Sequence, residues 1–238
     1  TAGGPPVLLW VDTFTDHFSP QVGVAAVRVL EQAGYRVAIP GRRLCCGLTW
    51  ISTGQLDRAR RLLQGTVAGL LPAVREGVPV VGLEPSCTAV LRADLVELAG
   101  GPGAEAVAAG VRTLAELLAA SPDWTPPALG GVEVLAQPHC HHHAVMGWAA
   151  DAELLARSGA AVRRLGGCCG LAGNFGMERG HYEVSVAVAE HRLLPAVRGA
   201  AAGTVVLADG FSCRMQLDDL AGTPSRHLAQ LLADGPGA

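Results

Sequence analysis

The hexapeptide Leu-Leu-Pro-Ala-Val-Arg occurs twice, at residues 70–75 and 193–198. The pairs Cys45-Cys46 and Cys168-Cys169, each followed by glycine, keep the same register: the steps from 70 to 193 and from 45 to 168 are both 123. Ser86-Cys87 and Ser212-Cys213 lie 126 apart, which places a three-residue insertion near residues 199–203. A string of this length in step with the cysteines restricts the chain to two similar halves, related by internal duplication and an approximate two-fold.

Apolar runs followed by helical periodicity define what each half is made of. Residues 7–11 form a continuous apolar run and read as a buried parallel strand. Ser19-Pro20 is a helix start, and Val22, Ala25, Ala26, Val29 and Leu30 follow at helical spacing. Further strands are expected at 36–39 and 78–83, and helices at 56–74, at 88–98 and from the 100–103 turn to about 120. The stretch 121–131, rich in proline and glycine, is the expected linker between a first half (1–120) and a second (132–238). The pattern then restarts, with strands at 132–136, 161–165 and 204–208 and helices at 145–157, 178–197, 214–220 and 225–232. Alternating strands and helices with short joins predict an α/β fold of two parallel-sheet halves.

Half of the 238 residues are hydrophobic and 16% are charged, so the chain has the means to bury a core. A net charge of −3 gives no general attraction to nucleic acid. No run approaches the roughly 18 apolar residues of a membrane span. The start from Thr1 has no basic region followed by an apolar one; it reads as a linker-derived or excised start without an export signal. Seven cysteines cannot all pair within one chain, and reduced thiols in a cytoplasmic setting are expected.

Cys140, Cys168-Cys169 and Cys213 each follow an expected strand, and loops at strand carboxyl ends converge on the crevice of a parallel sheet. Cys213 also opens a helix, where the dipole favours a thiolate. Gly166, Gly167 and Gly170 let the backbone come close to a cofactor and donate N–H groups to sulfur. Thiolates bind zinc and iron–sulfur clusters alike. Adjacent cysteines fit one tetrahedral ion poorly because their side chains diverge, which favours a cluster over zinc or mononuclear iron. Buried free thiols or a vicinal disulfide are the bland alternative.

The first half has Cys45, Cys46 and Cys87, with Thr13 near the position of Cys140. Glu84, three residues before Cys87, is a candidate fourth ligand; a degenerate copy that lines the crevice is the competing reading. His139, His141, His142 and His143 surround Cys140, and at least two of them must point away from any shared site. His139 and His141 are the candidates for a metal or proton role, whereas His181 and His191 read as ordinary helix residues. Arg214 suits either charge compensation or an anionic partner, and Asp12 and Asp209 suit turn capping.

At these residues the chain resembles the family of cysteine-rich CCG domains, found in the CCG-bearing component of heterodisulfide reductase, in the iron–sulfur component of glycolate oxidase and in a component of anaerobic glycerol-3-phosphate dehydrogenase. The strings VDTF (11–14), GLEPSC (82–87), HCHHHAVMG (139–147), CCGLAGNFG (168–176) and ADGFSC (208–213) are similar to the C-terminal region of fused FAD-linked D-lactate and D-2-hydroxyglutarate dehydrogenases. The heterodisulfide reductase pattern is one cysteine, a Cys-Cys pair and a Cys-x-x-Cys, which hold a non-cubane [4Fe-4S] cluster. Gly210 stands where the second half would need its fifth cysteine, and Thr13 and Glu84 depart from the pattern in the first. That departure points to an ordinary cluster or a single metal ion.

The resemblance implies an electron-transfer module of an FAD-linked 2-hydroxy-acid dehydrogenase, not catalytically complete alone. Cys140, Cys168, Cys169 and Cys213 would bind a [4Fe-4S] cluster. FAD and a ferredoxin-like iron–sulfur domain would sit on an upstream portion or a partner chain. Electrons would pass to a quinone or protein acceptor, in the cytoplasm or peripherally at the inner face of the membrane. Two other readings stay open: a zinc-stapled docking domain, and a metal-dependent substrate crevice using His139 or His141.

Overall fold

The computed structural model describes residues 3–235, so the start read from Thr1 lies partly outside them. β1 (Pro6–Trp10) is buried from Val7 onward, as an apolar central strand should be. The Asp12 carboxylate then accepts from the Phe14 and Thr15 amides and opens a short helix, α1 (Thr13–His17). α2 (Pro20–Gln32) turns the expected five apolar residues inward. β2 (Arg36–Ala38), α3 (Leu48–Ser52) and α4 (Leu56–Arg75) follow, with Ala59, Leu63, Thr66 and Leu70 on the buried side of α4. β3 (Val80–Gly82) leads into α5 (Pro85–Arg92), which is buried from Pro85 to Leu91.

The next segment differs from the single helices expected at 88–98 and up to 120. Ala93 breaks the first into α5 and α6 (Asp94–Ala99). α7 (Gly101–Gly110) then stops at β4 (Val111–Thr113), which pairs with Val80–Gly82 in parallel, and α8 (Leu114–Ala119) begins anew. The local cause is legible afterwards. Thr113 and Glu116 form a capping box, a start signal that overrides the alanine-rich composition around it.

The second half runs β5 (Glu133–Ala136), a π-helical turn (His142–Met146), α9 (Ala149–Arg157) and β6 (Ala161–Arg164). A 3-10 turn (Phe175–Met177), α10 (Tyr182–Arg198), β7 (Val205–Leu207), α11 (Phe211–Ala221) and α12 (Leu228–Asp234) complete it. The helix expected from 145 starts only at Ala149, because Gly147 leaves the helical region at φ 76°.

Both sheets are parallel. Their orders are β2-β1-β3-β4 and β6-β5-β7, so in each the first strand lies between the second and third. That order places the crevice at the carboxyl ends of β1 and β3 in one sheet and of β5 and β7 in the other. One hydrophobic cluster is private to the first half, around Trp10, Leu63 and Leu91, and a smaller one surrounds Cys169, Leu193 and Leu217. The largest joins the halves: Val22, Val29 and Leu30 of α2 pack with Leu228, Leu231 and Leu232 of α12, and α8 packs on α9. Trp124 and Leu129, in the 121–131 connection, belong to the same cluster. Leu129 N also donates to Ser158 O at 2.7 Å.

A core shared in this way makes the halves unfold together. Leu231→Ala is expected to cost about 2–5 kcal/mol and to lower hydrogen-exchange protection of β1 and β5 alike; loss confined to the second half would refute the shared core.

Candidate metal centre

The four second-half cysteines stand in a row, each beside the next. Cys140 follows β5, Cys168 and Cys169 follow β6, and Cys213 lies in the first turn of α11 after β7. Cys140 lies beside Cys168, Cys168 beside its neighbour Cys169, and Cys169 in turn beside Cys213. The row runs from Cys140, exposed at one end, to Cys169 and Cys213, buried at the other. Hydrogen bonds from Cys140 and Cys169 hold Cys168 far below the usual thiol range, and Gly170 N adds another at 3.3 Å. The same bonds, with burial, push Cys140 and Cys169 far above it.

The loop that presents the pair is shaped by glycine. Gly170 has φ 95°, and a Cβ there would lie 2.2 Å from the Ser185 carbonyl oxygen of α10. Gln137, buried at the end of β5, donates through Nε2 to Gly167 O at 3.1 Å and ties the β5 end to the same loop. Its Oε1 is buried without a partner.

The first half repeats part of this. Gly47 N donates to Cys45 Sγ at 3.4 Å, the counterpart of the Gly170–Cys168 bond. Cys46 Sγ lies 3.1 Å from Cys87 Sγ, and Cys45 hydrogen-bonds Cys46. Hydrogen bonding to Cys46 pushes Cys45 upward; the contact with Cys87, together with burial, does the same for Cys46. At the place of Cys140 the chain has turned into α1 behind the Asp12 cap.

Glu84 is fully buried, and its oxygens are committed elsewhere. Oε1 accepts from Ser86 Oγ at 2.7 Å and Ser86 N at 3.3 Å, capping α5. Oε2 accepts from Phe211 N at 2.8 Å and caps α11 in the other half. Gly210, the N-cap residue of α11, has no side chain to do this. Burial raises the Glu84 carboxyl to about 7.

The histidine block divides. His139 is buried; its Nδ1 accepts from His141 N at 3.2 Å, and Nε2 lies 3.4 Å from Ser212 Oγ. Burial, with His141 beside it, lowers His139 to about 4, so it is neutral at pH 7. Its ring fills the space over Gly210, where a Cβ would lie 2.3 Å from Cδ2. A cysteine at 210 is thus excluded by this histidine. His141 is exposed, edge-on to His139 at 5.5 Å, and His143 pairs with Arg164. His142, not singled out from the sequence, is buried against Asp151 at 3.2 Å. Arg214 donates to Ala208 O, Asp209 O and Ser19 Oγ and so clamps the halves together. Asp12 caps the turn that follows it, whereas Asp209 reaches forward to Leu228 N at 2.7 Å. His191 lines an open groove of about 540 Å³ beside Cys168, with Val184, Ala187, Val188 and Arg192.

Residues 12–92 match the sequence profile of the cysteine-rich CCG domain. The segment 12–92, about a third of the chain, is that of a CCG domain. It is 30% identical over 236 residues to D-2-hydroxyglutarate dehydrogenase of Escherichia coli K12, covering 96% of this chain and 22% of that one. It is 28% identical over 232 residues to one component chain of the anaerobic glycerol-3-phosphate dehydrogenase of the same organism, 92% of this chain and 56% of that one. Lactate utilization protein A of an Exiguobacterium species is 26% identical over 97% of this chain and 98% of its own length. The chain thus spans about a fifth and about half of the first two relatives. A crystal structure of a hypothetical protein from Helicobacter pylori superposes on 99% of this chain and 51% of that one, with TM-score 0.57 and 12% identity, a likeness of fold.

Two outcomes are expected. Gly170→Ala, strained by its φ and by a backbone contact, should destabilise the protein well beyond Gly173→Ala, which has φ 71° but open space; equal melting temperatures would contradict the cradle. Glu84, raised in the folded state, binds a proton that the unfolded chain has lost between about pH 4.5 and 7, so stability should fall as pH rises through that window and level off above it. Urea unfolding across pH should show a slope, worth at most about 3 kcal/mol, that Glu84→Gln removes.

Proposed function

We propose that this chain is the iron–sulfur electron-transfer module of an FAD-linked 2-hydroxy-acid dehydrogenase. Its two halves, 1–120 and 132–238, would descend from one duplicated unit, and the second would carry the working centre. The observation that carries this reading is the row Cys140–Cys168–Cys169–Cys213, assembled from three separate strand ends. The matched relatives include a dehydrogenase and a component of another, and the first half matches the CCG profile. The matching strand orders, and the Gly N–H to Cys Sγ bond present in both halves, support the duplication.

The donor set suits a polynuclear centre. Among the described residues, the one set of three donors lying mutually within 4.8 Å is His142, Asp151 and Asp209, and no three cysteine sulfurs meet that condition. A single zinc with Zn–S of about 2.3 Å holds its sulfurs about 3.8 Å apart on every edge. A row of sulfurs fits several irons better than one ion. When bound, such a cluster would accept and release single electrons.

The chain's own residues do the rest. Cys140, Cys168, Cys169 and Cys213 would hold the centre, and the Gly170 N–H stabilises negative charge on Cys168. His139, neutral and fixed over Gly210, stands where a fifth cysteine would be and bars a five-thiolate set. The exposed Cys140 end and the groove beside Cys168 give electrons a route out to a quinone or a protein acceptor. FAD and a ferredoxin-like domain would be supplied by other segments or a partner chain. Cys45, Cys46 and Cys87, with Glu84 committed to two helix ends, remain three donors and frame the crevice. No helix among the described residues is long and apolar enough to cross a membrane.

Elemental and sulfide analysis of anaerobically purified protein tests this. Iron with acid-labile sulfide and a visible chromophore is expected, lost in Cys168→Ser and Cys169→Ser. Stoichiometric zinc without a chromophore would replace the proposal by a zinc-stapled docking domain.

A further inference from the structure

A second donor set, sharing no residue with the sulfur row, lies where the halves meet. His142 Nε2 is 3.2 Å from Asp151 Oδ2, and with an oxygen of Asp209 these atoms lie mutually within 4.8 Å. His142 and Asp151 are buried and Asp209 nearly so. They line a small recess of about 20 Å³, with Met146 and His227 on its wall, large enough for a single water or small ion. The π-helical turn aims His142 inward while its neighbours His141 and His143 face solvent.

Arg214 stands near this space but spends its guanidinium on the Ala208 and Asp209 carbonyls and on Ser19. Two carboxylates face one imidazole. His227 offers no second cation, because its Nδ1, 3.7 Å from Asp209 Oδ1, accepts from Ala229 N at 3.0 Å. Its Nε2 lies 3.1 Å from Leu83 O. Among the described residues, the ion pairs of Asp151 and Asp209 are with histidine alone. Buried carboxylates in such an environment are paired or bind a metal.

We propose that His142, Asp151 and Asp209 bind one divalent cation of the manganese, ferrous or zinc class. One imidazole and two carboxylates are borderline-to-hard donors, unlike the soft thiolates of the sulfur row, so the two sites select different ions. Metal–donor bonds of about 2.1 Å set neighbouring donors about 3 Å and opposite donors about 4.2 Å apart; the 3.2 Å His142–Asp151 pair already has the neighbouring spacing, and Asp209 would close the set. The ion would join the π-helical turn, α9 and the loop after β7. That loop meets the first half through Phe211 N on Glu84, and His227, on the wall of the same space, meets it at Leu83 O. The cation would therefore tie three second-half elements together beside the seam.

Manganese(II) is the suitable probe, because it binds thiolate ligands poorly and its free aquo ion is read directly by electron paramagnetic resonance. The expected result is one Mn2+ bound per chain, with a rise in melting temperature. Asp209→Asn keeps an oxygen for Leu228 N and should weaken binding at least about 10-fold, whereas Cys168→Ser should leave it unchanged. Absence of binding at millimolar Mn2+, or equal binding by the wild type and Asp209→Asn, would overturn the proposal. Loss of binding in Cys168→Ser would assign the ion to the sulfur row and overturn it equally. None of these outcomes depends on whether the sulfur row holds iron.

Discussion

Everything at the centre of this molecule follows from placing the first strand of each sheet between the second and third. With β5 in the middle, three loops that are far apart in sequence leave the same edge of the sheet side by side. Their cysteines are then forced into one row, and two of them are buried. The bonds drawn to Cys168 favour its thiolate, while burial and the same bonds hold Cys140 and Cys169 as thiols. The cost of the arrangement falls on the loop after β6, which has to press its backbone against Ser185 of α10 and can do so only as glycine.

Much of this was legible in the sequence. The apolar faces of α2 and α4, the strands before each cysteine and the convergence of Cys140, Cys168, Cys169 and Cys213 follow from period, turn residues and topology. What was not legible depends on contacts across the chain. Glu84 reads as a spare carboxylate beside Cys87, yet its second oxygen serves an amide 127 positions away. His142 reads as one of a block of histidines, and only the π-helical turn sets it apart. β4 was hidden inside an alanine-rich stretch, although Thr113 and Glu116 spell a helix start just after it.

The halves are alike in plan and unlike in detail, and the differences interlock. Gly210 has no side chain to cap its own helix. His139 fills the space over it and Glu84 caps that helix end. Phe211 stacks on Phe14 across the same junction, at 5.1 Å between centroids. Arg214 reaches from α11 to Ser19 at the start of α2. Each half thereby supplies what the other lacks, and the first half acts on the second-half cysteines through the helix that carries Cys213.

The central claim is that the sulfur row surrounds several metal atoms rather than one. X-ray absorption at the iron and zinc edges of the anaerobically purified protein addresses that directly. The account predicts iron with sulfur neighbours and a short iron–iron scattering path, both diminished in a Cys169→Ser protein. Zinc with four sulfur neighbours at about 2.3 Å and no metal–metal path would contradict it.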